Sequence, residues 1–147
     1  NSKLKAHGKE EVDALTFAKN LKEIANQLGF SHDMLKRSVN DGFSGGEKKR
    51  FEILQMSILK PQLSILDETD SGLDIDALKI IAEGIKNYRN NNRSIILITH
   101  YHRILDFLNP DHVHILINGE IALSGDPQLA KDLEKRGYSW IREMKVK

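Results

Sequence analysis

Four consecutive residues, Ser44-Gly45-Gly46-Glu47, have the composition of an anion site at the start of a helix. A Ser followed three residues later by a Glu predicts a capping box, which fixes a helix N-terminus. Two glycines at that place let backbone N–H groups approach a phosphate closely. An ordinary capped helix without any ligand explains the same four residues, so this motif alone does not decide between the two interpretations.

Two adjacent carboxylates, Asp67 and Glu68, follow the apolar run at residues 63–66 and precede Ser71-Gly72-Leu73-Asp74. A strand that ends in carboxylates presents them at the carboxyl edge of a parallel sheet, where ligands bind. In a phosphate site, Asp67 would hold Mg²⁺ through water and Glu68 would orient the attacking water as a base. Two acids after a strand also occur as the solvated start of a helix, a place that the helix macrodipole favours.

A single histidine, His100, comes directly after the apolar, β-branched run at residues 94–99. Since this predicted strand follows the carboxylate strand along the chain, we expect both polar ends to face one crevice. A lone histidine after a strand is more often a surface residue. The other histidines support no such assignment; His112 and His114 alternate along a predicted strand without a carboxylate or cysteine in register, so we expect no metal there. The three motifs are weak singly, but their order is specific.

The elements that must position these motifs follow from the hydrophobic pattern and the turn residues. Their strand–helix–strand–helix order implies an α/β fold in which helices precede a sheet. The opening residues, through Gly8, are Lys-rich and poorly patterned. After them the sequence predicts a helix at 10–28 closed by Gly29, a turn at 33–36, and a helix from Ser44 to about residue 59 stopped by Pro61. A buried strand at 63–66 follows, then a helix at Ile75–Tyr88 with an exit loop at 90–92, and a central parallel strand at 94–99. The last predicted elements are a short helix at 102–107, a hairpin at 112–123 turning at Asn118-Gly119, and a helix at 127–136.

The composition excludes several classes of protein. The chain has 22 basic and 21 acidic residues, a net charge of +1, and so lacks the basic excess that nucleic acids or anionic membranes require. No stretch approaches the length of a transmembrane helix, and the opening residues show neither a signal core nor a transit pattern. The absence of cysteine excludes disulfides, a catalytic thiol and Cys ligation of an iron–sulfur cluster. The length of 147 residues fits one domain.

The ordered set of motifs resembles the C-terminal two-thirds of an ABC ATPase domain. Residues 43–47 resemble the signature loop, with Phe43 for the usual Leu and Glu47 for the usual Gln. Residues 63–68 resemble Walker B, residues 71–74 resemble the D-loop, and His100 resembles the switch histidine. Thr69 and Gly72 replace the Pro and Ala that transporter ATPases usually carry. Together with the stretches at 42–50, 66–79, 98–101 and 137–140, they make the SufC-type ATPases the most similar group, over residues 35–140.

The resemblance implies a partial ABC ATPase domain, with part of a helical subdomain at about residues 9–60 and a P-loop-NTPase-like sheet, hairpin and helix at 61–147. It implies ATP and Mg²⁺ as cofactors and a head-to-tail dimer. In that dimer, the signature loop of one subunit closes on the ATP of the other, and Asp74 runs along the seam. Glu68 and His100 would be catalytic within their own subunit, and Asp67 would hold Mg²⁺ through water.

The resemblance also implies a role in iron–sulfur cluster assembly on the scaffold proteins SufB and SufD, without membrane insertion or nucleic acid. The expected compartment is the cytoplasm or the plastid stroma, and residues 10–36 are the expected scaffold surface. Two alternatives remain open: the ATPase of a membrane transporter, and a non-catalytic module that lends its signature loop to a complete partner.

The sequence contains no Gly-x-x-x-x-Gly-Lys-Ser/Thr motif and no glutamine loop. In the family both precede the point at which this sequence begins. The expectation is therefore a fragment that binds ATP weakly or not at all, does not hydrolyse it at a useful rate, and exposes a sheet edge.

Overall fold

The structure is a computed structural model that describes residues 1–6, 8, 10–38 and 42–141. Parts of the unpatterned opening and of the 35–140 stretch, at residues 7, 9 and 39–41, lie outside this description, as do residues 142–147. Two 3₁₀ elements, Met34–Lys36 and His102–Asp106, lie at the turn predicted for residues 33–36 and in place of the short helix predicted for residues 102–107. The other elements are α1 (Ser2–Ala6), α2 (Ala14–Gln27), α3 (Gly45–Leu59), β1 (Leu63–Asp67), α4 (Ile75–Tyr88), β2 (Ser94–Ile98), β3 (Val113–Ile117), β4 (Glu120–Gly125) and α5 (Gln128–Arg136).

Helix α2 begins at Ala14, so its predicted start at residue 10 is wrong. Asp13 stops the helix there because its side chain accepts the N–H groups of Leu15 and Thr16, at 3.0 and 2.9 Å. The predicted end is confirmed, since Gly29 follows the helix with a φ of 71°. The prediction for the opening residues missed α1.

Helix α3 has the predicted limits, and local interactions explain both of them. The capping box between Ser44 and Glu47 fixes the start. At the other end, Lys60 takes a left-handed conformation and Pro61 follows, so the helix cannot continue. The predicted limits of α4 are also confirmed, with Asp74 as its N-cap.

Strands β1 and β2 pair in parallel, from Leu63 opposite Ser94 to Asp67 opposite Ile98. Within the described part of the chain this sheet has two strands. The prediction that β1 is buried is wrong for alternate residues, because no described element covers one face of the β1–β2 sheet. Four aliphatic side chains lie on that face, with exposed fractions of 52%, 62%, 48% and 49%: Leu63, Ile65, Ile96 and Ile98.

The main core lies between α2, α3, α4 and the opposite face of this sheet. Its fully buried side chains include Leu28, Ile53, Ile81 and Ile104. A second cluster joins the β3–β4 hairpin to α5 through Ile115, Leu129, Leu133 and Ile141.

The β3–β4 hairpin turns at Asn118 and Gly119, as predicted, and both residues have positive φ angles. Strand β4 extends to Gly125, two residues beyond the prediction, and α5 begins at Gln128. No helix among the described residues is both long and apolar enough to span a membrane.

Candidate active site

Glu68 and His100 meet where β1 and β2 end. Their nearest atoms, Glu68 Oε1 and His100 Nδ1, are 3.4 Å apart, which is long for a hydrogen bond. The N–H of Glu68 donates to the carbonyl of Ile98 at 2.9 Å and so continues the pairing between the strands. Both side chains are about half exposed, 56% for Glu68 and 54% for His100, so a ligand can reach them. The two side chains therefore lie together, as the order of the two predicted strands led us to expect.

Glu68 has a left-handed backbone, with a φ of 46°. Such a conformation is rare for a residue other than glycine, and residues of this kind cluster at functional sites. It turns the chain away from β1 and begins a tight turn, in which the N–H of Ser71 donates to the carbonyl of Glu68 at 3.1 Å. The turn separates Glu68 from the D-loop residues that follow.

Asp70 and Thr99 join the two loops that carry Glu68 and His100. The Thr99 hydroxyl donates to Asp70 Oδ2 at 2.6 Å, and the N–H of Tyr101 donates to the Thr99 oxygen at 2.8 Å. Asp70 is 5% exposed. No sequence motif indicated this contact, although each residue lies directly beside a predicted motif; a third acid shortly after Asp67 and Glu68 is the signal that could have indicated it.

Asp67 is the last residue of β1, and its side chain is exposed. Together with Glu52, Gln55 and Thr69, it borders a groove of about 300 Å³ between α3 and β1. No three His, Cys, Asp or Glu side chains in the described ranges are grouped as a protein-only metal cage would require. An exposed carboxylate such as that of Asp67 fits Mg²⁺, which typically binds one or two carboxylates and completes its shell with water and phosphate oxygens. Asp67 is thus able to serve as such a ligand.

The residues predicted to form the signature loop lie at the N-terminus of α3. The Ser44 hydroxyl accepts the N–H of Glu47 at 3.3 Å, and Glu47 Oε2 accepts the N–H of Ser44 at 2.6 Å. Hydrogen bonds to the Glu47 carboxyl group from the backbone and then the side chain of Ser44, followed by the positive charges of Arg50 and Arg37, lower the pKa of Glu47. The local structure of the loop is therefore fixed by its own side chains.

Gly45 and Gly46 lie in the first turn of α3, where N–H groups have no partner within the helix. A Cβ atom at Gly45 would meet nothing within 4 Å, and one at Gly46 would meet only Leu73 Cδ2, at 3.5 Å. Internal packing therefore does not require glycine at either position. Close approach of an external ligand to the backbone does explain the two glycines.

The residues predicted to form the D-loop lie beside this helix start, since Leu73 Cδ2 would be 3.5 Å from a Cβ atom at Gly46. Asp74 caps α4 by accepting the N–H of Ala77 at 2.7 Å. Among the histidines set aside above, His114 makes a hydrogen bond to Ser124, with 2.7 Å between Nδ1 and Oγ. The predicted residues thus form two groups, Asp67, Glu68 and His100 at the strand ends and Ser44, Gly45, Gly46 and Glu47 at the helix start, with residues 69–74 between them.

Sequence comparisons identify proteins that resemble this chain. The family model described as ABC transporter matches residues 2–71. The probable ATP-dependent transporter ycf16 of Cyanophora paradoxa is 53% identical over 146 residues, which cover 99% of this chain and 56% of that protein. The probable ATP-dependent transporter SufC of Escherichia coli (strain K12) is 54% identical over 136 residues, which cover 92% of this chain and 55% of that protein. The chain thus spans little more than half the length of these curated relatives.

A solved structure supports the fold. An ATP-binding cassette of an ABC transporter, in its ADP conformation, superposes with a TM-score of 0.65 over 94% of this chain and 51% of that one. The sequence identity is 21%, so this likeness concerns the fold alone.

The chain thus has a fold similar to that of an ATP-binding cassette, and its first half matches the ABC transporter family model. Over nearly its whole length it is similar to proteins named SufC and ycf16.

Proposed function

We propose that the intact protein, meaning this chain within a polypeptide of its relatives' length, hydrolyses Mg-ATP. The observation that carries the proposal is the 3.4 Å approach of Glu68 and His100 at the ends of two paired parallel strands. Ligands of open α/β sheets bind at that edge. Asp67 supplies the neighbouring carboxylate.

In the proposed mechanism, each polar group at the strand ends has one task. Mg²⁺, when bound, neutralises the negative charge that develops on the phosphate oxygens. Asp67 holds it through water, Glu68 accepts a proton from the attacking water, and His100 orients the transferred phosphate and Glu68. The half-exposed state of Glu68 and His100 leaves room for the nucleotide.

The proposed signature loop acts on the nucleotide of a second subunit. The exposed first turn of α3 offers the N–H groups of Gly45 and Gly46 and the hydroxyl of Ser44 to a phosphate. Asp74 is the last residue of the proposed D-loop, in which Leu73 lies close to this turn, and so is proposed to lie at the dimer seam. In this scheme residues 9–60 belong to the helical subdomain and residues 61–147 to the nucleotide-binding core.

The proposed biological task is to drive iron–sulfur cluster assembly on SufB and SufD. The similarity to the Escherichia coli protein named SufC supports this assignment. The chain contains no cysteine, so its contribution is energy and not cluster ligation. The compartment, cytoplasm or plastid stroma, stays a prediction.

A second candidate function is the ATPase of a membrane transporter, since the relatives are named probable ATP-dependent transporters. Affinity purification of the intact protein separates the two functions. Recovery of SufB and SufD supports the first, and recovery of a membrane-spanning subunit supports the second.

Replacement of Glu68 by Gln in the intact protein tests the catalytic proposal. The substitution removes the base, so turnover falls by roughly 10²–10⁴-fold while Mg-ATP binding persists. Steady-state hydrolysis and titration calorimetry measure the two quantities. Glu83→Gln, at an exposed position in the middle of α4, is the matched control.

Unchanged turnover in Glu68→Gln would remove Glu68 from the mechanism. A second calorimetric comparison, between this 147-residue chain and the intact protein, tests whether the chain holds a complete nucleotide site. We expect binding only in the intact protein. Tight binding by the chain alone would favour a different set of phosphate contacts.

A further inference from the structure

Arg50 connects the signature helix α3 to the end of α2. Its Nη1 atom donates to the carbonyls of Leu28 and Gly29, at 3.3 and 3.2 Å. Carbonyls at a helix C-terminus have no partner within the helix, and a cation is favourable there because of the helix dipole. The side chain thus joins two helices through directional contacts.

A row of aromatic rings continues this connection to the signature loop. The Arg50 guanidinium lies 5.6 Å from the ring centroid of Phe30, and Phe51 meets the same ring edge-on at 6.2 Å. Phe51 also meets Phe43 at 5.7 Å. Phe30 and Phe43 are 4% and 8% exposed, and Phe43 directly precedes the N-cap Ser44. An unbroken series of contacts therefore runs from the end of α2 to the signature loop.

Gly29 provides the space that this arrangement needs. Its φ is 71°, and a Cβ atom there would lie 3.0 Å from Arg50 Nη1. A side chain at this position would require the guanidinium to shift by a few tenths of an ångström, and the positive φ by itself favours glycine. Gly29 thus lets the guanidinium lie close to the end of α2.

We propose that Arg50 is a positioning residue that holds the signature loop at a fixed place relative to α2. The proposal rests on the role of that loop proposed above. The capping box fixes the backbone within the loop but does not determine where the start of α3 lies relative to its neighbours. Hydrophobic packing is non-directional, whereas the paired hydrogen bonds of Arg50 fix both distance and orientation. Since a phosphate contact depends on position, loss of Arg50 impairs the reaction and not the binding of ATP by the same subunit.

Arg50→Met in the intact protein tests the proposal, because it keeps an apolar stem and removes the hydrogen-bond donor. The matched control is Arg93→Met. Arg93 makes the same kind of contacts elsewhere, a hydrogen bond to the carbonyl of Tyr88 at 3.0 Å and a guanidinium 4.7 Å from the Tyr88 ring. Arg50→Lys keeps the charge and a donor and serves as the rescue variant. The readouts are kcat and KM for ATP, with unfolding midpoints for all three proteins.

We expect Arg50→Met to lower kcat by about tenfold to a hundredfold at unchanged KM, the scale of a small misplacement of a reacting group. Arg50→Lys recovers most of kcat, and Arg93→Met changes the unfolding midpoint but not kcat. The proposal is overturned if Arg50→Met keeps full kcat, or if Arg93→Met loses as much. If Arg50→Met does not fold, Arg50→Lys becomes the test. The proposal is then overturned if Arg50→Lys raises the KM for ATP, or if its kcat is as low as that of a Ser44→Arg variant, in which the signature loop itself is blocked. Ser44→Arg tests the signature-loop function separately from the role of Arg50. If this variant hydrolyses ATP normally, the signature-loop function itself is wrong.

Discussion

The carboxyl group of Glu47 makes the start of α3 sensitive to pH. Hydrogen bonds from Ser44, and then the charges of Arg50 and Arg37, hold its pKa below the usual range of a glutamate. A pKa that is lower in the folded state than in the unfolded state stabilises the fold above the unfolded pKa. This stabilisation is lost as the pH falls through the lowered folded-state pKa.

Glu47→Gln should therefore reduce stability at neutral pH and have a diminishing effect as the solution is acidified. Gln keeps an acceptor for the N–H of Ser44 but cannot carry the charge. Urea unfolding midpoints of the two proteins, measured between neutral and acid pH, check this expectation. A difference that stays constant across the range would contradict it.

Asp13 is a second acid at a helix start whose pKa is lowered. Its side-chain and backbone hydrogen bonds with Thr16 lower its pKa at the N-cap of α2. Asp13→Asn should show the same direction of pH dependence. Amide hydrogen exchange should then assign the change to α2 for Asp13→Asn and to α3 for Glu47→Gln.

The contact between Thr99 and Asp70 leads to a prediction about stability. Thr99→Val keeps the shape of the side chain but leaves the buried Asp70 without this donor, at a cost of about 1–3 kcal/mol in unfolding free energy. Thr69→Val is the control. Thr69 is 1% exposed, and its hydroxyl has no hydrogen-bond partner among the described residues. Chemical denaturation should show destabilisation for Thr99→Val only; equal effects would assign the loss to packing.

At the residue scale, sequence predicted contacts between near neighbours directly, but a contact between distant residues only where motifs at strand ends marked both of them, as for Glu68 and His100. The capping box joins Ser44 and Glu47, which are three positions apart, so composition and spacing indicate it directly. The Thr99–Asp70 hydrogen bond spans 29 positions. It depends on the parallel pairing of β1 and β2, which a local pattern does not specify.

At the element scale, Gly84 determines how closely α4 packs on its neighbours. A Cβ atom there would lie 2.7 Å from Ile53 Cγ2 and 2.8 Å from Leu28 Cδ2. Both neighbours are essentially fully buried, so they have little room to move. The glycine is thus required by helix packing, although glycine is a poor helix former.

Gly84→Ala sets two effects against each other. Helix propensity favours Ala by about 1 kcal/mol, while overpacking costs about 1–3 kcal/mol. Because the neighbouring atoms would be under 3 Å away, we expect the second effect to prevail and the variant to be less stable. The exposed Asn87→Ala, in the same helix, should be slightly stabilising, and urea unfolding compares them. A stabilised Gly84→Ala would mean that the helices can separate without cost.

The limits of the elements show where a sequence pattern is sufficient. Helix α3 was predicted correctly because Ser44, Glu47 and Pro61 mark its ends locally. Residues 10–13 continue the apolar spacing of α2, so the pattern extended the helix too far. The hydrogen bonds from the Asp13 side chain determined the actual start.

At the scale of the whole molecule, the largest difference from expectation is the exposed face of the β1–β2 sheet. Residues 63–66 and 94–99 are apolar on both faces, which predicts a strand covered on both sides. In the described chain only one face is covered. The chain spans little more than half the length of its curated relatives, and the apolar pattern predicts that this face is covered in a protein of that length.

Ile65→Lys should consequently reduce self-association of the 147-residue chain but destabilise the intact protein. Ile65 lies opposite Ile96 at the centre of the exposed face, and an apolar patch of this kind promotes association. In the 147-residue chain, the substitution should reduce self-association, as measured by sedimentation velocity. In the intact protein it should lower the unfolding free energy by more than the roughly 0.5 kcal/mol typical of a surface change, because a covered face would then contain an unpaired charge.

Leu116→Lys is the control for this prediction, since Leu116 is 66% exposed on the β3–β4 hairpin, away from that sheet. Its exposed apolar neighbour on the paired strand is Ile121, so the patch contains two aliphatic side chains and not four. We expect Leu116→Lys to reduce self-association less than Ile65→Lys does. If Ile65→Lys leaves the stability of the intact protein unchanged, the face is exposed there too. The apolar pattern of the two strands would then have another cause than burial in the complete domain.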